Sequence, residues 1–546
     1  MSVELISIEE AAKKASEYLN KSVTTSNITY LIQYAQIKKH GYNQVDWNEL
    51  KNYYDSNILS RENKWKEKLG EDLDWDLSFQ NLREEHTTKH VHRLHPYKGK
   101  FIPQLVEYFL DSHLNTHKRT IYFEQGDIVL DPFMGSGTTL VQSIELGIHS
   151  IGIDISEFNC LIAKVKCADY DMEEVKRNLN LAYLETKSFI ERRYPFNEGY
   201  NKELKNRISE FNNHYFPSIE YKQKVKNGEI NEKEYGNEKL ELFLRENNAF
   251  LDQSTPRLAQ RPFEDYYDEK NRTYTSKVNT SETNNSFISK WFTLRIRDEL
   301  NFYIQLIENY PNENIKNLMK LIISRTARSC RATTHSDLAT LRNPQKEPYY
   351  CTKHLKICTP IHSILPHLKK NTTDAITRIE IFSKVKKNSF AEIIHGDSRT
   401  VNIFDVIQKN NPKLYEFLLD KKIDGIFTSP PYVGQIDYHD QHAYAYELFN
   451  INRRDEDEIG PLFKGKGKKA QAEYVEGISK VLRNISNFIK DDGNYFIVAN
   501  DNLNLYPEIA KKSGLKIVDT FKRPVLNRTE RDRQPYAETI FHMKRI

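Results

Sequence analysis

The chain has 546 residues, and its 80 Lys and Arg against 76 Asp and Glu leave a formal net charge of +4. That length excludes a single small module and accommodates three or four domains of ordinary size. The near balance of charge means that a nucleic-acid partner has to be sought in local patches. With 38% hydrophobic, 12% aromatic and 29% charged residues, the chain is polar but globular. No apolar run approaches the ~18 residues of a membrane helix, the N-terminus lacks a signal-peptide pattern, and five scattered cysteines make no disulfide framework. A cytoplasmic protein with reduced thiols and no membrane partner is expected.

Residues 1 to 85 read as a helical region. Ser7 and Glu10 make a capping-box pattern ahead of Ile8, Ala11, Ala12, Ala15 and Leu19. After a polar break, Ile28, Leu31, Ile32, Ala35 and Ile37 recur at helical spacing and stop near Gly41. The pair fits a helix-turn-helix, whose second helix enters a major groove, and equally an ordinary helical hairpin. From 86 to 170, short apolar runs separated by Gly and Pro alternate with helical periodicity, the texture of βαβ units. A polar stretch rich in Asn, Lys and Tyr, 171 to 385, interrupts that texture and reads as an inserted domain. The βα texture resumes over 386 to 546 through AEIIHGDSR, IDGIFTSPPY, NYFIVAN and ETIFHMKR.

Within the first βα stretch, Asp127-Ile-Val-Leu-Asp131-Pro-Phe-Met-Gly135-Ser-Gly137-Thr-Thr joins a strand-like run to a glycine turn and then to a helical run. Glycines there permit positive φ and close approach of the backbone to a ligand. A second strand, HSIGID, ends about twenty residues later in Asp154, where an acid can hold a ribose hydroxyl pair.

The turn DPFMGSGTT resembles the cofactor loop of the S-adenosylmethionine-dependent amino-methyltransferases of DNA. The resemblance implies an α/β fold with a Rossmann-like core and a mostly parallel seven-stranded sheet, and S-adenosylmethionine as cofactor. By the same resemblance, Asp131, Pro132, Phe133, Gly135, Gly137, Thr138 and Thr139 would shape the methionine side of the pocket and Asp154 would bind the ribose. Upstream, HPYKGKFIPQ is similar to the segment that closes over the methionyl end, which points to Tyr97, Lys100 and Phe101. Gly396-Asp397-Ser398-Arg399 is similar to the family's third cofactor strand, where Asp397 would meet the adenine amino group.

The chemistry is carried by Thr428-Ser429-Pro430-Pro431-Tyr432, behind the apolar run IDGIF. Two prolines in succession fix φ and remove amide donors, leaving carbonyls as acceptors on a rigid turn. The exocyclic amine of a base has its lone pair delocalised into the ring, so its methylation calls for acceptors that hold its N–H groups. The Ser429 hydroxyl and the Pro430 carbonyl suit that task, and Tyr432 would stack on the base. A base inside a duplex has to be flipped out to present its amine this way. The motif resembles the Ser/Asp/Asn-Pro-Pro-Tyr signature of the N4-cytosine and N6-adenine methyltransferases, and Ser in the first position is similar to the N4-cytosine group. C5-cytosine chemistry requires an attacking Cys thiolate, in that family placed after a proline, and none of the five Cys here follows one.

In the insert, Arg325, Arg328 and Arg331 lie close together, and near the C-terminus Arg528 and Arg531 belong to a segment, 511 to 546, with ten Lys and Arg against four acids. These are the expected DNA contacts. Cys351, His354 and Cys358, with Cys330 or His335 as a fourth, have spacings that can bind zinc. Without two close pairs, buried thiols are the preferred reading and no metal is assigned. The sequence thus predicts a DNA methyltransferase acting on cytosine N4 in double-stranded DNA, with a cognate restriction endonuclease as its partner. N6-adenine methylation and a non-catalytic DNA-binding regulator of the same fold are the alternatives.

Overall fold

The computed structural model describes all residues except 1–2, 20–22, 34–35, 42, 71–72, 80–81, 83, 116, 195–196, 253–285, 339 and 526–534. Its strands, in chain order, are β1 (Leu5–Ser7), β2 (Lys39–His40), β3 (Gln44–Asp46), β4 (Ile128–Asp131), β5 (His149–Asp154), β6 (Tyr349–Cys351), β7 (Lys356–Cys358), β8 (Ala391–His395), β9 (Ile423–Thr428), β10 (Ile489–Ala499), β11 (Leu515–Pro524) and β12 (Ala537–Arg545). The chain divides into two compact units, one made of 1–63, 180–309 and 326–370, the other of 64–179, 310–325 and 371–546. Among the described residues no helix is long and apolar enough to cross a membrane.

The second unit is built on a seven-stranded sheet of order β11-β12-β10-β9-β4-β5-β8. Strands β8, β5, β4, β9 and β10 pair in parallel, and β12 runs antiparallel between β10 and β11. All four residues of β4 are buried, as expected of a parallel strand covered on both faces. Its side chains alternate across the sheet. Ile128 and Leu130 join Ile151, Ile426 and the helix Lys468–Ser486 on one side, while Val129 joins Leu105, Phe109, Phe427 and Phe496 on the other. This is the α/β, Rossmann-like core with a mostly parallel seven-stranded sheet that the cofactor-loop resemblance implies.

In the first unit the N-terminal helices are α1 (Ile8–Leu19) and α2 (Thr25–Gln33). The Ser7 half of the capping box forms, with the Glu10 amide donating to Ser7 Oγ at 3.1 Å. The helices are not a bare hairpin, because β1, β2 and β3 flank them in an antiparallel sheet of order β1-β3-β2. Ile37, expected on the second helix, is instead buried in the link to β2 and packs with Ile6, Ile28 and Val45. Strands of two or three residues carry no readable periodicity.

The two compact units do not follow the bounds 171 and 385 of the expected insert. Residues 171–179, 310–325 and 371–385 group with the sheet unit, and residues 1–63 group with 180–309 and 326–370. Three of the divisions fall inside the helices Met172–Arg193, Glu313–Ser329 and Leu365–Ser383. A continuous helix gives no change in texture at which sequence could place a boundary.

Candidate active site

A cavity of about 890 Å³, counting its open mouth, lies where the parallel strands end. Asp131 closes β4, Asp154 closes β5, Gly396 and Asp397 follow β8, and Ser429 follows β9, and all five line it. The carboxyl ends of strands either side of the central one are where open α/β sheets bind ligands.

Hydrogen bonds between neighbouring strand ends fix the walls. Asp154 accepts from the Gly135 amide at 2.9 Å, from the Ser156 amide at 2.8 Å and from Asn159 Nδ2 at 3.0 Å, so the end of β5 holds the loop after β4. Gly135 has φ +49°, and a Cβ there would lie 3.1 Å from the Tyr97 hydroxyl oxygen and 3.2 Å from its ring. Gly137, at φ +74°, would place a Cβ 3.0 Å from Ala163 Cβ. Lys166 is buried and donates to the Ser136 carbonyl at 2.7 Å, a brace on the same loop. Burial without a carboxylate partner pushes its ammonium far below the usual lysine range.

Burial raises both strand-end acids to about 6, against the hydrogen bonds that they accept. Asp131 accepts from Thr139 Oγ1 and from Thr428 Oγ1, each at 2.6 Å. The Thr428 bond ties the end of β9 to the end of β4 and sets Ser429 beside the glycine loop. The Ser429 side chain lies near the Tyr432 hydroxyl. Tyr432 donates in turn to Glu538 Oε1 at 3.1 Å, and Glu538 Oε2 receives Arg523 Nη1 at 2.9 Å. Arg523 is itself anchored on the Leu77 carbonyl at 2.7 Å.

Of the residues expected at the cofactor, Tyr97, Lys100, Phe101, Asp131, Pro132, Phe133, Gly135, Thr138, Asp154 and Asp397 line the cavity. Gly137 and Thr139 stand behind the wall, as the turn into the helix Thr138–Leu146 and as a partner of Asp131. Lys100 turns its ammonium to the His92 carbonyl at 2.7 Å, and Asp397 is held by Arg399 through Nε at 2.9 Å and Nη2 at 2.7 Å. Ser429 and Pro431 line the cavity, whereas Pro430 is buried and Tyr432 is half-buried with its hydroxyl on Glu538.

Of the arginines expected at DNA, Arg331 and Arg325 are engaged within the protein. Arg331 is buried, and its guanidinium is spent on the Arg328 and Leu338 carbonyls at 2.9 and 2.8 Å. Arg325 pairs with Asp374 at 2.5 Å in the sheet unit. A guanidinium buried or paired in this way is not presented to a phosphate. Arg328 is half-buried, while Arg528 and Arg531 lie outside the described residues. Cys351, His354 and Cys358 come together with His335 in the first unit, and Cys330 is not among them.

Sequence reading missed Asn159, Glu458 and Lys166. Asn159 follows the N-cap Ser156, a usable signal, but Glu458 reaches the cavity from a long loop that has none. There it accepts from the His439 and Tyr438 amides at 2.9 and 3.4 Å, and burial raises its carboxyl to about 7. Four buried polar atoms of residues lining this cavity have no hydrogen-bond partner among the described residues: Ser136 Oγ, Thr138 Oγ1, Asn159 Oδ1 and His439 Nε2. Buried polar groups left unpaired await a partner, and two hydroxyls with an amide oxygen fit a ligand carrying an amino-acid and a sugar portion.

Comparison with known proteins agrees with this geometry. The N6/N4 DNA methylase family matches residues 7–165. Type II methyltransferase M.MjaII of Methanocaldococcus jannaschii is 50% identical over 543 residues, covering 99% of this chain and 97% of that protein. Type II methyltransferase M.BsoBI of Geobacillus stearothermophilus is 32% identical over 106 residues, 19% of each chain. Type II methyltransferase M.MvaI of Kocuria varians is 26% identical over 116 residues, 21% of this chain and 24% of that one. The protein therefore belongs to the N6/N4 DNA methylase family and is a type II DNA methyltransferase of restriction–modification, in a family that uses S-adenosylmethionine.

Proposed function

We propose that the enzyme methylates the exocyclic N4 of a cytosine flipped out of duplex DNA, and thereby shields that site from a partner endonuclease. The observation that carries this reading is the Thr428–Asp131 bond, which places the Ser429 turn and the cofactor loop on one cavity. S-adenosylmethionine, when bound, supplies a methyl group on positively charged sulfur, open to displacement by an amine lone pair. Tyr97, Gly135, Ser136, Thr138, Asp154 and Asn159 are the residues that would hold it.

The chain from Ser429 to Tyr432, Glu538 and Arg523 gives Ser429 a direction. With Tyr432 donating to Glu538, its oxygen is left to receive the Ser429 proton, and the Ser429 lone pairs would then face the substrate as acceptors. Together with the Pro430 carbonyl they grip the two N–H bonds of the amine, draw its lone pair out of conjugation and orient it. Digesting methylated duplex to nucleosides tests the base: N4-methyldeoxycytidine is expected, and N6-methyldeoxyadenosine alone would overturn the choice.

Proton linkage follows from the two acids. Their folded-state values near 6 exceed the ordinary 3.8, so their contribution to stability is full below that value and is lost as pH rises through about 6. A cationic ligand favours their ionised forms. Cofactor affinity should therefore rise between pH 5 and 7, by up to about tenfold per pH unit for each titrating group. Calorimetry near pH 6 in buffers of differing ionisation enthalpy should show proton release; proton uptake would contradict the assignment.

For target choice we assign α2 to the major groove. The succession β1-α1-α2-β2-β3 with sheet order β1-β3-β2 is that of a winged helix-turn-helix. Its second helix exposes Thr25, Ser26, Asn27, Thr29 and Gln33, all able to hydrogen-bond base edges and none negatively charged. Thr29→Ala with Gln33→Ala should weaken cognate binding by about 1–3 kcal/mol per lost base contact. Because neither residue is charged, the salt dependence should stay the same. Unaltered cognate affinity in a binding titration would reduce α1 and α2 to a packing role.

A further inference from the structure

We propose that His335, Cys351, His354 and Cys358 form a structural zinc site in the unit made of 1–63, 180–309 and 326–370. One ligand atom from each of the four lies within 4.8 Å of every other. Cys351 Sγ stands 3.7 Å from His335 Nδ1, and Cys358 Sγ stands 3.6 Å from His354 Nδ1. A tetrahedral zinc with bonds of about 2.3 Å to sulfur and about 2.0–2.1 Å to nitrogen has S–N edges of about 3.6 Å. Both Cys–His separations match that edge.

Backbone geometry explains why these four meet. Strands β6 and β7 pair Tyr349 with Cys358 and Cys351 with Lys356, so the two thiols sit diagonally on paired strands, Cys351 at the turn end of the hairpin and Cys358 at its open end. The turn curls back, with the Leu355 and His354 amides donating to the Cys351 carbonyl at 2.7 and 3.2 Å, and Leu355 takes φ +54° to allow it. That brings His354 over Cys358. The loop before β6 delivers His335, whose amide donates to the Tyr349 hydroxyl at 3.2 Å; its Nδ1 lies 2.8 Å from the same hydroxyl, a bond that zinc on Nδ1 would displace. Two strands of three residues are too short to be stable alone. Among the described residues the hairpin's backbone is tied to a helix by the exchange between Asn212 and Ile357 at 2.9 Å each way, and Ile357 packs with Phe211, Phe216 and Phe243. A closed four-ligand site, with two thiolates and two imidazoles and no open position, is structural in character rather than catalytic. The proposal stands on these four side chains and does not rest on the identity of the methylated base.

The test is metal analysis of the full-length enzyme purified without chelator, with cobalt substitution. One zinc per chain is expected, and cobalt should give the intense visible bands of a tetrahedral dithiolate centre. Cys351→Ser with Cys358→Ser should lose the metal, whereas Cys330→Ala, which alters a buried thiol outside the cluster, should keep it. Chelation of the wild-type enzyme should lower its melting temperature by several degrees, reversibly on adding zinc. A metal-free wild-type protein that shows no tetrahedral cobalt spectrum, or stoichiometric metal in the double variant, would overturn the site. So would a Cys351–Cys358 disulfide in protein kept under reducing conditions.

Discussion

Ser429→Ala should lower kcat by about 10²–10³-fold, the loss seen when one aligned hydrogen-bonding group is removed from a reacting centre. Cofactor affinity should change less, because the bond that ties this turn to the cofactor loop is made by the neighbouring Thr428 and stays in place. Fold stability should also hold, since the hydroxyl is half-buried and its Tyr432 partner keeps Glu538. Glu538→Gln probes the same chain from its far end. It removes the charge held by Arg523 and leaves a geometry in which the Ser429 proton is less firmly directed, so a smaller loss confined to kcat is expected. Single-turnover methyl transfer alongside cofactor binding separates these effects. A Ser429→Ala enzyme that turns over at the wild-type rate would remove the acceptor turn from the mechanism.

The second large effect belongs to Gly135. Valine there would have to adopt φ +49° and would press its Cβ against Tyr97 at about 3.1–3.2 Å. The backbone conformation alone costs about 1–3 kcal/mol, and Tyr97 cannot retreat freely, because it stacks on His442 at 5.7 Å between ring centroids. The loop should move off Asp154, whose oxygens also hold Ser156 and Asn159. Cofactor affinity is then expected to fall at least about 100-fold while the sheet stays folded. Gly199→Ala, where a Cβ would meet nothing within 4 Å, serves as the control. Equal cofactor binding by the valine variant and the control would show that the loop does not form the cofactor wall.

These two positions also mark what the sequence could tell. The Asp131–Gly137 turn and Thr428–Tyr432 are local: a strand, a breaker and a rigid turn each leave a mark within ten residues, and both loops sit at strand ends as read. What escaped depends on distant chain meeting in space. Lys166 braces Ser136 from inside a helix and looks like any helical lysine. Glu458 enters the cavity from a loop with no periodicity, and Arg331, basic on paper, folds inward onto two carbonyls. Likewise Cys351, His354 and Cys358 were readable as a triad, but the choice between Cys330 and His335 as fourth member was made by the loop that carries His335 to the hairpin.

The most direct test of the central claim is a structure of the enzyme with its cognate duplex and an unreactive cofactor analogue. The expected result is an extrahelical cytosine whose N4 amine lies within hydrogen-bond distance of Ser429 Oγ and the Pro430 carbonyl, beside the cavity bounded by Asp131 and Asp154. An adenine in that place, or a target base bound away from the Ser429 turn, would contradict it.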